Sequence, residues 1–144
     1  MVNDGVVALP ALIARLGGIA ATSELRAHGF TPEIIAAFVA HRQVIRIRRG
    51  WYGTTDLSPD VIEARRVGGR LGCFSALVHH GVILRADFGL HVAVYAGSSR
   101  LRIPAAGAVL HWSRAPFGGD RQAVSVGTAL RQAARRKKEA KASR

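Results

Sequence analysis

Arg42-Gln43-Val44-Ile45-Arg46-Ile47-Arg48-Arg49-Gly50-Trp51-Tyr52 alternates aliphatic and arginine side chains, turns at a glycine and restarts on two aromatics. Alternation at period two predicts a strand with Ile45 and Ile47 on one face and Arg46 and Arg48 on the other. Gly50 permits the turn, so the stretch reads as a hairpin with an apolar underside and a guanidinium outer face. Such a ribbon suits contact with a row of phosphates. Of the two aromatics, Trp51 is expected in the core. Either ring has the chemistry to stack on a base or a sugar-phosphate edge.

The residues before the hairpin read as three helices. Leu9, Leu12, Ile13 and Leu16 recur at helical spacing until Gly17-Gly18. Thr22 is expected to cap a short helix, Ser23 to His28, stopped by Gly29. Thr31 caps a third, with Pro32 in its first turn and Glu33 at the positive end of its dipole. Ile34, Ile35, Phe38 and Val39 give it a buried face. Two helices joined by a tight glycine turn and followed by a hairpin is the order of a winged helix-turn-helix. The outer side of the third helix is Glu33, Ala36, Ala37, Ala40 and His41, poor in the Arg, Lys, Asn and Gln side chains that read base edges. The wing and flanking arginines are therefore expected to carry most of the affinity.

Bulk properties agree with a polyanionic partner. The 144 residues carry a formal net charge of +12 and a sequence pI near 11.6, with 49% apolar residues to build a core. No stretch has the length of a membrane span and no signal core is recognised, so a cytoplasmic protein without membrane contact is expected. Cys73 is the only cysteine, which excludes an intrachain disulfide.

Beyond the hairpin, Ser58-Pro59-Asp60 starts a helix to about Val67, broken by Gly68-Gly69. A second helix runs from about Gly72 to His80, carrying Phe74, Leu77 and Val78, and ends at Gly81. Leu90 to Val94 and Ala108 to Ser113 read as strands, with Gly97, Pro104 and Gly107 punctuating their connection. Helical pattern resumes from Gly127 and ends in the basic run Arg135-Arg136-Lys137-Lys138-Glu139-Ala140-Lys141, read as a solvated helix end. The expected fold class is α+β. A winged helix-turn-helix over residues 1–56 precedes a small α+β domain over 57–130 and a basic tail over 131–144.

Catalytic readings fail on spacing. His79, His80, His91, His111 and Cys73 include no ligand-spaced pair of cysteines, so neither a metal nor a cofactor is expected. Ser75 lies mid-helix without a nucleophile elbow, which argues against a triad with His80 or Asp87. Gly68-Gly69-Arg70-Leu71-Gly72 lacks the Gly-Lys-Ser/Thr ending of a phosphate loop. The chain is not expected to be an enzyme.

Several stretches resemble the AbiEi family of antitoxins from type IV toxin–antitoxin systems. In the first part these are Gly17-Gly18-Ile19-Ala20, Ser23-Glu24-Leu25, Gly29-Phe30 and Val44 to Tyr52. In the second they are Ser75-Ala76-Leu77, His80-Gly81, Leu90 to Val94, Ser99-Arg100-Leu101 and Leu110-His111-Trp112. The resemblance spans about Leu9 to Ala134 and implies a DNA-binding antitoxin that represses its own operon. It also implies a partner, a nucleotidyltransferase-like toxin encoded nearby. The family's C-terminal nuclease-like part is expected to be absent. Arg42, Arg46, Arg48 and Arg49 are expected to contact the phosphates of double-stranded DNA, with Thr31, Glu33 and His41 nearest the groove and Tyr52 beside them. Two other readings stay open: a protein-interaction module that neutralises a toxin, and a remnant of an antitoxin–nuclease fusion.

Overall fold

The computed structural model describes residues 3–84, 89–98, 101–102, 107–114 and 118–142, with side chains described between 9 and 136 of these. Asp87, Ser99, Arg100 and Pro104 lie outside the described residues, as do the side chains of Lys137, Lys138, Glu139, Ala140 and Lys141. The architecture is α+β, and the chain divides into two compact units, Met1–Ser58 and Pro59–Arg144. The division falls two residues beyond the boundary expected at 56/57.

The first unit runs α1 (Asn3–Arg15), β1 (Ile19–Ala21), α2 (Thr22–Ala27), α3 (Pro32–Ala40), β2 (Ile45–Arg48) and β3 (Trp51–Gly53). Its strands form one antiparallel sheet in the order β1-β3-β2. Leu9, Leu12 and Ile13 of α1, Ala20, Leu25 of α2, Phe30, Ile35 and Phe38 of α3, and Val44 make one buried cluster. At roughly 1.5–3 kcal/mol for each large side chain removed from water, this cluster is what holds three short helices together.

The helix ends explain why the helices stop where they do. Thr31 Oγ1 accepts from Ile34 N–H at 3.2 Å, the expected cap of α3. Thr22 is not the cap of α2. That position belongs to Ala21, whose N–H donates to Glu24 Oε1 at 2.9 Å, while Thr22 N–H donates to Gly50 O in the hairpin turn. After α2, Gly29 N–H donates to Arg26 O and Phe30 N–H to Leu25 O. That is a Schellman closure with Leu25 and Phe30 in the same core. The same pair of bonds ends α3, from Arg42 N–H to Val39 O and Gln43 N–H to Phe38 O. Here the left-handed position is taken by Arg42, at φ 59°, where glycine is usual.

The second unit contains α4 (Pro59–Val67), β4 (Arg70–Leu71), α5 (Cys73–His79), β5 (His91–Tyr95), β6 (Val109–Ser113) and α6 (Val126–Ala142). β5 is central, antiparallel to β4 and parallel to β6. A central strand covered on both faces is buried continuously rather than alternately, and His91, Val92, Ala93 and Val94 are all buried. Ser125 caps α6, its Oγ accepting from Thr128 N–H at 3.2 Å. The helix expected from Gly127 is α6, and Gln132, within the stretch expected as a basic tail over 131–144, is buried. No helix of the described residues is long and apolar enough to cross a membrane.

Candidate functional site

The hairpin and the end of α3 hold the first group of candidate residues. Arg46 stands opposite Tyr52 in the β2–β3 ladder, and Tyr52 stands opposite Ala20 in the β1–β3 ladder. Residues paired across a sheet project to the same face. Ala20 belongs to the helical core and Tyr52 packs against it, so Arg46 lies on the face of the sheet that carries the helices. Arg46 itself is exposed at the outer strand of that row.

A bulge between Arg46 and Arg48 breaks the expected alternation. Ile45 pairs with Gly53 and Arg46 with Tyr52, but it is Arg48 that pairs with Trp51. Trp51 and Tyr52 alternate in direction along β3, so Arg48 shares the row of Trp51 and faces away from Arg46. The expectation that Arg46 and Arg48 form one cationic face is therefore corrected: the extra residue, Ile47, is buried and turns Arg48 over. Arg48 is half-buried, whereas Arg42, Arg46 and Arg49 are exposed. The expectation for the aromatics also changes. Tyr52 packs against the helical core, while Trp51, half-buried, is not among the residues of that cluster.

The outer side of α3 is as the spacing predicts. Thr31, Glu33, Ala36, Ala37, Ala40 and His41 are exposed, and Ile35 and Phe38 are buried. Thr31 Oγ1 accepts the Ile34 N–H as the cap of α3. Arg42 follows directly after His41, so one guanidinium leaves the end of α3 from a backbone position that favours glycine.

The second unit contains a cluster that spacing alone did not reveal. Cys73, His91 and His111 each offer one ligand-type atom, and these atoms all lie within 4.8 Å of one another. His91 Nδ1 is 2.8 Å from His111 Nε2, and the two rings stack with centroids 5.1 Å apart. Phe74 meets His91 edge-on. Cys73 and His91 are buried and His111 is half-buried. Three elements place them: the first residue of α5, the first residue of β5 and the middle of β6. Parallel pairing sets Ala93 opposite His111, which leaves His91 and His111 on one face, offset along the strands. Cys73 has φ 47°, and its N–H donates to Gln132 Oε1 at 2.7 Å. Burial lowers the basicity of His111 to about 4, aided by the neighbouring His91 and by Arg136 and Arg135. Burial pushes the Cys73 thiol up, opposed by the Phe74 N–H and by Arg136.

Convergence of these three residues corrects the ground on which a ligand cluster was set aside, the lack of a spaced cysteine pair. His79 and His80, the other members of that set, are exposed on or just after α5, with His80 Nε2 2.8 Å from Val124 O. One signal was available in the sequence. His91 heads the apolar run His91-Val92-Ala93-Val94, and a lone polar residue at the edge of a buried strand needs a partner. Ser75 also has a structural task, its Oγ accepting from His91 N–H at 2.9 Å. No protein-family model matches the chain, and no curated protein is similar to it.

Proposed function

We propose that the chain is a double-stranded-DNA-binding transcriptional regulator that contacts phosphates through Arg42, Arg46 and Arg49. The observation that carries this reading is the row Ala20–Tyr52–Arg46, which sets an exposed guanidinium on the helix-bearing face of the sheet. The order helix, strand, helix, helix, strand, strand supports a winged helix-turn-helix. A net charge of +12 supplies the long-range attraction such binding needs. With alanines along the outer side of α3, affinity comes mainly from backbone contact, and sequence selectivity is modest. An AbiEi-type antitoxin that represses its own operon, in the cytoplasm and beside a nucleotidyltransferase-like toxin, is the finer form of the proposal. It rests on the sequence resemblance of residues 9–134.

The test is fluorescence anisotropy of a labelled duplex with the full chain at two salt concentrations. Replacing Arg42, Arg46 and Arg49 together with alanine weakens binding to every duplex. It also lowers the slope of log affinity against log salt by about 2–3, near 0.9 for each lost phosphate contact. Unchanged affinity and slope in a folded triple variant would falsify the reading.

The exposed run Ala36, Ala37 and Ala40 favours one second reading, in which α3 docks on a protein. That reading expects co-purification of a neighbouring gene's product with the chain, and loss of that product from an Ala37→Glu variant that still binds duplex.

A further inference from the structure

We infer that Cys73, His91 and His111 form a binding site for one borderline-soft transition-metal ion of the zinc type. The site lies in the second unit and stands independently of the DNA-binding reading.

The donor atoms are already close. All three lie within 4.8 Å of one another. In a tetrahedral site with metal–nitrogen bonds of about 2.0–2.1 Å and a metal–sulfur bond of about 2.3 Å, neighbouring ligand atoms sit roughly 3.3–3.7 Å apart. The His91 Nδ1 to His111 Nε2 separation of 2.8 Å has to open by about half an ångström, a small rotation of two rings. These nitrogens face each other, so one ring must give a proton to the other's lone pair. An ion between them would engage both lone pairs.

The backbone of the thiol ligand is the second observation. Cys73 holds φ 47°, a conformation that L side chains rarely adopt and that functional sites retain at a cost of order 1–3 kcal/mol. Glycine would fill that position without strain but would supply no sulfur. The strained turn is held in place from outside. Gln132 Oε1 accepts the Cys73 N–H, and a Cβ on the preceding Gly72 would come within 2.9 Å of both Ala93 Cβ and that same Oε1. An amide that fixes the ligand's own backbone has the place of an outer-shell partner.

Chemistry selects the ion. One thiolate and two imidazoles suit zinc or cuprous copper, and the set contains no oxygen donor of the kind magnesium and calcium require. Three protein ligands leave a fourth position for water or an exchangeable donor. His111, the half-buried member, is where the cluster reaches solvent. On loading, the thiol proton leaves to solvent and the proton between the rings moves to an outer ring nitrogen, so both imidazoles stay neutral. The bound ion would tie the start of α5 to the parallel β5–β6 pair.

The experiment uses the full chain, stripped with a chelator and titrated first with Zn(II) against a chromophoric competitor and then with Co(II) alone. One equivalent of Zn(II) is expected. Cobalt should produce a near-ultraviolet thiolate charge-transfer band together with visible bands of tetrahedral intensity. Cys73→Ser should abolish the charge-transfer band. His111→Ala, at the half-exposed position, should weaken Zn(II) at least about 100-fold, the upper end of what losing an outer-shell partner costs. His79→Ala, an exposed histidine on α5, should leave the affinity unchanged. Circular dichroism and thermal unfolding establish that each variant is folded. Absence of stoichiometric uptake by the folded wild-type chain, or a cobalt spectrum without the thiolate band, overturns the inference. Uptake unchanged in His111→Ala overturns it as well. The wild-type spectrum decides even if Cys73→Ser does not fold.

Discussion

Arg46 and Tyr52 face each other across the β2–β3 ladder, with the tyrosine ring packed on the helical core and the guanidinium left at the surface of the same row. Arg48, one bulge away, belongs to the opposite face with Trp51. Two arginines that look equivalent in the sequence therefore have different tasks. Arg46→Ala is expected to lower the salt slope of duplex binding by about one, with at most about 1 kcal/mol lost from its pairing with Tyr52. Arg48→Ala is expected to lower stability by about 0.2–1 kcal/mol through loss of its cross-strand pair, with little change in slope. Equal slopes for the two variants would show that the bulge does not sort them.

Arg42 gives a sharper separation of stability from binding. Its left-handed backbone suits glycine, so Arg42→Gly should raise stability by up to about 1 kcal/mol. The same change removes a cation and should weaken duplex binding. Chemical denaturation and anisotropy on one protein preparation measure both, and a destabilised Arg42→Gly would contradict the Schellman assignment.

The cap of α3 is a single hydroxyl. Thr31→Ala leaves Ile34 N–H without its acceptor and is expected to cost about 1 kcal/mol, read from the midpoint of urea unfolding. Thr22→Ala removes no cap, because Ala21 occupies that position and Glu24 reaches back to it, so its cost should be much smaller.

Gln132 of α6 holds the cysteine turn. Gln132→Leu keeps the volume but leaves the buried Cys73 N–H without an acceptor, at an expected cost of about 1–3 kcal/mol.

Acid should act on the second unit through His111. Its basicity falls from the ordinary value of 6.5 to about 4 on folding, first through burial and then through His91, Arg136 and Arg135. The unfolded chain thus binds the proton more readily than the folded one. The stability contribution is complete above 6.5 and is lost as pH falls toward 4. Unfolding of the chelator-treated protein across that window should therefore steepen with acid, and His111→Gln should remove part of the slope.

Local chemistry was legible in the sequence where it decides local structure. Thr31-Pro32-Glu33 marks the start of α3, Gly29 the end of α2, and the apolar runs at 90–94 and 108–113 locate β5 and β6. β1 was not legible, because Ile19-Ala20-Ala21 has little strand preference and is a strand only by pairing with β3. β4 is two residues long and depends on β5 in the same way. The bulge that turns Arg48 over is likewise a tertiary event, since Ile47 is drawn into the gap beside Gly53 and Leu57. The Cys73–His91–His111 cluster depends on a parallel register between distant segments, which no local spacing encodes.

The bond from Cys73 N–H to Gln132 Oε1 closes a sequence separation of 59 residues. Val124 N–H to Leu71 O closes another long separation, and the parallel β5–β6 ladder requires its connection to be traversed first. The longest ladder of the first unit, Ile19 with Gly53, is complete once its own 58 residues exist. Chain-closure entropy therefore delays the second unit, and on a ribosome it has to wait for Gln132 in α6. The amino-terminal unit can reach its native contacts while the rest of the polypeptide is still being made, so newly synthesised chains would gain the arginine hairpin before they gain the histidine pair.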